Sequence, residues 1–470
     1  WTVMAGGLRN QVDLAFDADG EMFTWDADME WDVGLPWYRP TRVNHIVSGG
    51  DYGWRWGTAK WPPYYQDSLP ANLETGLGSP TGLVFGTGCQ FPHPYQQALF
   101  MADWQHGRIL AVTLKPEGAS YSAEDHLFAE GGPLNVCDMT FGPDGALYFI
   151  TGGRRSQSGL YRVRYRGPAE PAATPSAEEL AADKSASQSR QLRHQLEKYH
   201  TAVDVAAVDA LWPHLGSEDR WLRSAARVGL ENQPLDQWTH RIGAERDPLR
   251  RATAMLAWMR VATAADGLII LQEWCRSSLP TTDDALLTCL RVASIALARE
   301  TPVTNDLRSS LLERIIEVDA SKSTTVRREI AELLIALSAN DALDRVLSWL
   351  AKSSSQEDQI HYVHAVIRYE GKWTLPQRRQ VLTWFQEARS LTGGHLFPAV
   401  LGQMHNDFVA TLSEAERTEL AMQLTAFTEP LPAAETVPTR PVVQRWTLAD
   451  IAPHLNRAAS HRNWDSAQQA

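Results

Sequence analysis

Asp13-Leu-Ala-Phe16-Asp-Ala-Asp19-Gly20-Glu-Met-Phe23 recurs as Asp138-Met-Thr-Phe141-Gly-Pro-Asp144-Gly145-Ala-Leu-Tyr148, and this repeat decides the fold of the first part of the chain. Each copy reads as strand, Asp-Gly turn, strand, because Asp-Gly accepts the backbone conformation of a tight hairpin turn. A looser copy lies between them: Pro80-Thr-Gly-Leu-Val-Phe85 gives one strand, and Ala98-Leu-Phe-Met-Ala-Asp103-Trp104 gives its partner after a Pro-rich loop. Hairpins repeating every roughly 55 to 70 residues, rich in Trp and Gly, predict β-propeller blades with long loops. Residues 1–167 hold about three of them. A ring needs about four to eight blades, so the segment reads as the later part of a propeller whose earlier blades would precede Trp1.

Composition shifts at Pro168, and residues 168–190 read as a linker grading into a solvated helix. Over residues 191–427 apolar residues recur at i, i+3 and i+4 in segments broken by Gly, Pro, Asp or Ser, as in stacked antiparallel helix pairs. A polar cap followed by arginine and small residues recurs there, in Asp219-Arg-Trp-Leu-Arg223-Ser-Ala-Ala226, Asp247-Pro-Leu-Arg-Arg251-Ala-Thr-Ala254 and Ser323-Thr-Thr-Val-Arg327-Arg-Glu-Ile-Ala331. These copies resemble HEAT-type repeats, which implies a solenoid serving as scaffold or as a docking surface for a protein partner. Residues 428–470 read as a Pro-rich linker and short helix leading to a further C-terminal domain. The expected architecture is multidomain, all-β followed by all-α: a partial propeller of about three blades, then a HEAT-like α-solenoid.

The chain has 470 residues, 44% of them hydrophobic, and a net charge of -12. No segment carries the concentrated basic footprint that a nucleic-acid partner requires. Cys89, Cys137, Cys275 and Cys289 are too scattered for a disulfide framework or a zinc site and read as free thiols. No apolar run is long enough to span a bilayer, and no signal segment begins the chain.

Chemistry concentrates in Trp25-Asp-Ala-Asp-Met-Glu-Trp-Asp32. Read as a strand, it puts Asp26, Asp28, Glu30 and Asp32 on one face. Such carboxylates either hold a hard cation such as calcium, pair with nearby Arg39 and Arg42, or form a charged solvated face. Arg9-Asn10 precedes the first blade motif, where it either clamps carboxylate or carbonyl oxygens or ties blades together. His45 could act as a base or as a structural imidazole, and Arg154-Arg155 could bind an anion or lie in a solvated turn. His361, His364 and His395 lack metal spacing.

Arg9-Asn10, the acidic stretch, the Asn44-to-Trp54 turn, Ser79-Pro-Thr-Gly-Leu-Val-Phe85 and Gly142-Pro-Asp-Gly-Ala-Leu-Tyr148 together resemble the later blades of soluble quinoprotein glucose/sorbosone dehydrogenases. With the helical region behind it, the chain is similar over nearly all its length to the planctomycete-type membrane-bound dehydrogenase family. Its members run propeller, helical repeats and then a c-type cytochrome carrying Cys-x-x-Cys-His. The resemblance implies an exported or periplasmic oxidoreductase acting on a sugar or related alcohol, with pyrroloquinoline quinone and calcium as cofactors and electrons passing to a haem c domain.

It places Arg9 and Asn10 toward the quinone and the segment holding Asp26, Asp28, Glu30 and Asp32 toward calcium, while Arg39, Arg42, Arg154 and Arg155 are further candidates for holding the cofactor on their residue type alone. The base histidine of that family belongs to an earlier blade, leaving His45 as the one candidate here. The chain departs from the family at Asp103, where lysine is usual, and at Cys137, where arginine is usual, and it has no Cys-x-x-Cys-His. By itself the chain is expected to be inactive, and the alternative is a non-catalytic propeller that binds carbohydrate or protein beside a solenoid docking platform.

Overall fold

A computed structural model describes residues 1–153, 157–168, 176–318 and 323–428. Trp1–Leu420 forms one compact unit; a second begins at Ala421, of which a single helix, Ala421–Thr428, is described.

The strands are β1 (Ala5–Gly6), β2 (Leu14–Phe16), β3 (Met22–Asp26), β4 (Thr41–Ile46), β5 (Gly50–Asp51), β6 (Leu73–Gly76), β7 (Pro80–Phe85), β8 (Leu99–Asp103), β9 (Arg108–Glu117), β10 (Ser120–Glu130), β11 (Val136–Phe141), β12 (Leu147–Thr151) and β13 (Gly159–Val163). They form three blade-like sheets, ordered β2-β3-β4-β6, β10-β9-β8-β7 and β11-β12-β13, with β1 and β5 as a short parallel pair. Neighbours within each blade are antiparallel. The Asp-Gly signals fall at the turns expected of them. Gly20 and Gly145 both have positive φ, 84° and 67°, which glycine adopts without the steric cost a Cβ would add.

The middle blade is buried on both faces. Successive strand residues point to opposite sides, so Leu99 and Met101 of β8 pack with Phe23, Trp25 and Val43 of the first blade. Phe100 and Ala102 pack with Val136, Met139, Leu147 and Phe149 of the third. The outer faces of the arc are less covered: Leu14 and Phe16 are 50% and 53% exposed at one end, Ile150 and Leu160 46% and 72% at the other. The three blades do not close a ring among the described residues.

The helices are α1 (Ala177–Glu197), α2 (Ala207–Leu211), α3 (Arg220–Glu231), α4 (Pro248–Val261), α5 (Ala264–Arg276), α6 (Asp283–Ala298), α7 (Asn305–Glu317), α8 (Thr324–Ala336), α9 (Ala342–Lys352), α10 (Gln356–Val366), α11 (Leu375–Ala388), α12 (Phe397–Ala410) and α13 (Glu414–Glu419). From α4 onward they stack in two rows, with α4, α6, α8 and α10 packing in succession while α5 packs on α7 and α9 on α11. The polar residue opening each sequence motif is a helix N-cap: Asp219, Asp247 and Ser323 accept from backbone N–H groups of α3, α4 and α8, satisfying donors that a helix start leaves unpaired.

The segment read as a linker grading into a helix is helical from Ala177, within α1, and Arg190 and Arg193 of that helix project onto the Asp-Gly turn of the first blade. Arg190 pairs with Asp19 at 2.9 Å, and Arg193 pairs with Glu21 at 2.6 Å. Glu21 also accepts from His194 at 3.0 Å and bonds His45 at 2.8 Å.

A second junction is larger. The loop between β5 and β6 extends from the first blade against the row formed by α4, α6 and α8. Asp67, fully buried, receives Arg260 at 3.0 Å and Arg291 at 3.0 and 3.1 Å. Arg220 donates to the carbonyls of Pro63, Tyr65 and Ser68, and Tyr64 donates to Glu329 at 2.9 Å. This face of the helical row is covered by the chain's own loop.

Two expectations follow from these junctions. Asp67→Ala leaves two guanidinium groups facing a void and is expected to cost about 3–5 kcal/mol, lowering the chemical-denaturation midpoint; an unchanged midpoint means the loop is not anchored there. Burial would raise the Glu21 carboxyl, but the hydrogen bond from His45 and the charge of Arg193 hold it well below the carboxylate range. Its stabilising contribution is therefore complete above the unfolded value of about 4.3 and is lost as pH falls below it. Glu21→Gln should flatten the acid limb of the stability profile between about pH 5 and 2 relative to wild type.

Candidate functional site

Asp26, at the end of β3, organises the site. It is fully buried and accepts from the backbone N–H of Arg9 at 3.0 Å, from that of Asn10 at 2.8 Å, and from Nη2 of Arg42 at 3.0 Å. Arg42 is fixed in turn by donating to the Tyr52 carbonyl at 2.8 Å. The clamp presents Arg9 and Asn10 to a cleft of about 520 Å³, whose wall also includes Asp28, Glu30, Thr81, Trp104, Gln105 and Cys137.

Trp104 is held edge and face. Its Nε1 donates to the Gly152 carbonyl at 2.7 Å, and Gly153, at φ 111°, approaches so closely that a Cβ there would lie 2.7 Å from the indole. Asp103, where the resembled enzymes carry lysine, sits under this loop with no exposure and accepts from Ser79 N, Arg108 Nε and His106 Nδ1, each at 2.9 Å. Burial opposes its ionisation, yet these hydrogen bonds hold its carboxyl below the ordinary value. Asp103 is a structural anchor facing away from any cofactor role. Cys137 directs its thiol toward the Gly152 carbonyl at 3.4 Å, and all four cysteines are free.

Asp28 is the reactive candidate. It is 2% exposed, lines the cleft, and accepts from the Tyr38 hydroxyl at 3.0 Å. Burial pushes its carboxyl up to about 6, the neighbouring Glu30 charge adds to this, and Tyr38 and Arg9 oppose it. A group poised there can accept or return a proton near neutrality.

The four acidic residues do not share a strand face. The chain leaves the sheet after Asp26 and forms a 3-10 turn over Glu30–Asp32. The turn is pulled toward the helical region, where Leu396 N donates to the Trp31 carbonyl at 3.1 Å, Gly394 N to that of Val33 at 2.8 Å, and Gln356 Nε2 to that of Gly34 at 2.8 Å. Asp26 therefore serves the Arg9–Asn10 clamp, Asp28 and Glu30 line the cleft, and Asp32 turns away to pair with Lys60 at 2.7 Å. Among the described residues no group of three His, Cys, Asp or Glu side chains is arranged to hold a metal.

Of the arginines, Arg9 alone reaches the cleft among those described. Arg42 is committed to Asp26, and Arg39 donates to the carbonyls of Trp61, Pro36 and Tyr38 beside a different cavity. Arg154 and Arg155 lie outside the described residues. His45 is enclosed completely, bonded to Glu21 and Ser120 and stacked on Phe23 with ring centroids 5.0 Å apart. Burial lowers its pKa to about 4 despite the Glu21 hydrogen bond, so it is neutral at pH 7 and belongs to the core. Lys60 and Gly153 escape sequence reasoning because their partners, Asp32 and Trp104, are distant in the chain, and Tyr38 because its bond to Asp28 forms only once the chain leaves the strand after Asp26; the Gly152-Gly153 pair beside an interrupted strand is the one local signal.

The sequence matches no protein-family model and no curated protein. Among solved structures it is similar to an oxidoreductase described as a glucose dehydrogenase from Thermus thermophilus, at 23% identity over 34% of this chain and 46% of that one, with a TM-score of 0.27. It is also similar to the pyrroloquinoline-quinone-bound form of aldose sugar dehydrogenase from Streptomyces coelicolor, at 18% identity over 34% and 44% of the two chains, TM-score 0.25. A further glucose dehydrogenase gives 20% identity over 35% and 47%, TM-score 0.28. The chain thus spans less than half the length of these structures.

The quinone can be tested against the cleft directly. Pyrroloquinoline quinone carries three carboxyl groups, whereas the described wall offers one guanidinium, Arg9, and two carboxyl groups, Asp28 and Glu30. Like charges in such proximity repel; the described residues do not fit this cofactor.

The clamp has a measurable consequence. Asp26→Asn removes the charge that draws in Arg42 and both loop amides, and hydrogen bonds to charged groups are worth about 1.5–3 kcal/mol each. Hydrogen exchange at the Arg9 and Asn10 amides is expected to accelerate at least about tenfold; wild-type protection factors in the variant contradict the clamp.

Proposed function

We propose that this chain forms the sugar- or polyol-binding sector of an oxidoreductase-like propeller, carried on a scaffold of HEAT-type helical repeats. The observation that supports it most is the composition of the cleft: Asp28, Arg9, Asn10 and Gln105 around Trp104. Carboxylate, amide and guanidinium groups bond sugar hydroxyls in pairs, and an indole covers the apolar C–H face of a sugar ring. Ionised Asp28 would take the proton of a bound hydroxyl.

Oxidising that alcohol also requires a hydride acceptor. We propose that it is held by blades beyond the three described, packed against the uncovered Leu14–Phe16 and Ile150–Leu160 surfaces, in an exported, periplasmic protein that hands electrons to a cytochrome c domain. No helix among the described residues is long and apolar enough to cross a membrane. The mismatch between the cleft and a tricarboxylate quinone favours one alternative, a propeller that binds carbohydrate without oxidising it.

Calorimetric titration with D-glucose, D-sorbitol and other polyols tests the binding reading. Saturable binding is expected, weakened at least about tenfold by Trp104→Ala, since stacked aromatic contacts contribute on the order of 1 kcal/mol or more. Asp28→Asn should remove the change in affinity seen across about pH 6. Absence of binding to every polyol sinks the proposal. Binding without dye reduction after adding pyrroloquinoline quinone and calcium to the complete protein selects the non-catalytic alternative.

A further inference from the structure

Where the β5–β6 loop meets the helical row, residues of that loop, of the segment between β3 and β4, and of α6, α8 and α10 line a second cavity of about 570 Å³. Its wall holds several ionised groups, most of them already matched. Lys60 pairs with Asp32 at 2.7 Å, Arg291 with Asp67 at 3.0 Å, Arg328 with Asp358 at 2.6 Å, and Arg368 with Glu332 at 2.6 Å. Two groups are left over. Arg39 bonds backbone carbonyls and has no carboxylate partner among the described residues. Glu329 is 3% exposed; its Oε1 accepts from Tyr64 at 2.9 Å, while its buried Oε2 has no hydrogen-bond partner.

A buried carboxyl oxygen without a partner is costly, as is a desolvated guanidinium without a counter-charge. One ligand chemistry meets both needs. We propose that this junction is a binding site for a small hydroxylated carboxylate of the sugar-acid type, its carboxylate on Arg39 and a hydroxyl on Glu329. Trp37 and Tyr64 supply apolar wall for the carbon skeleton. A neutral sugar would leave Arg39 uncompensated, and a compact inorganic anion would leave Glu329 unanswered.

The site carries its own pH dependence. Burial raises the Glu329 carboxyl to about 7, opposed by hydrogen bonding from Tyr64 and Tyr65 and by the Arg291 charge, and reinforced by Glu332. The other charged or titratable groups around it are Arg328 on α8, and His361 and His364 on α10, both imidazoles lowered by burial. Below the Glu329 value its Oε2 carries a proton to donate and no charge to repel an anion; above it the ligand meets a second carboxylate.

The test is calorimetric titration with D-gluconate, in saturating D-glucose so that the result does not depend on the propeller cleft. Binding is expected to be saturable and about tenfold weaker at about pH 8 than at about pH 6, the change that one carboxyl titrating near 7 produces. Glu329→Gln should abolish the pH difference, and Arg39→Gln should weaken gluconate at least about tenfold. No gluconate binding at either pH, or an unchanged pH dependence in Glu329→Gln, overturns the proposal. Loss of polyol binding in the cleft with gluconate binding intact would count against the proposed function alone.

Discussion

A carboxylate sealed from solvent between two guanidinium groups sets the relation between the two halves of the chain. Asp67 belongs to a loop of the first blade; Arg260 and Arg291 belong to α4 and α6. Desolvating an ion costs several kcal/mol, and proximity to opposite charge offsets it only when geometry and hydrogen bonding are close to ideal. The pairing therefore tolerates little displacement, and it fixes the loop, the helical row and the cavity between them together. Arg220, donating to three loop carbonyls, holds the same loop by its backbone.

Asp26 plays the corresponding part inside the first blade-like sheet. Its oxygens gather two backbone amides and a guanidinium at a strand end, which shapes the entrance to the cleft. Two residues on, Asp28 is left with a phenol and a neighbouring carboxylate, and its affinity for protons rises. The same residue type thus supplies a rigid anchor and a titratable group, separated by what each one faces. Asp32 completes the contrast, because the 3-10 turn carries it to Lys60 and into the packing against the helical region.

The helical region is more than a support. α1 closes on the first Asp-Gly turn through Arg190 and Arg193, and the row of α4, α6 and α8 receives the long loop. Two regions with different periodicities in sequence consequently share buried ion pairs. In chemical terms the assembly offers two cavities of similar size and opposite bias, one with excess carboxyl groups and one with an unpaired guanidinium.

The blades and helices were legible locally. Asp-Gly turns, alternation in β8 and caps at Asp219, Asp247 and Ser323 depend on neighbours within a few residues, and each stands where its sequence places it. Arg9, Asn10, Asp28 and Glu30, which the sequence marks by residue type, line one cleft. The sequence could not show that an alternating acidic run would abandon the strand, since that outcome depends on hydrogen bonds from residues more than three hundred positions away. Nor could it reveal His45 as a core imidazole, Asp103 as a loop anchor, or Glu329 beside Tyr64. Periodicity records which residues can be buried; which charges meet after burial is decided by tertiary packing, because electrostatic partners are chosen by distance in space.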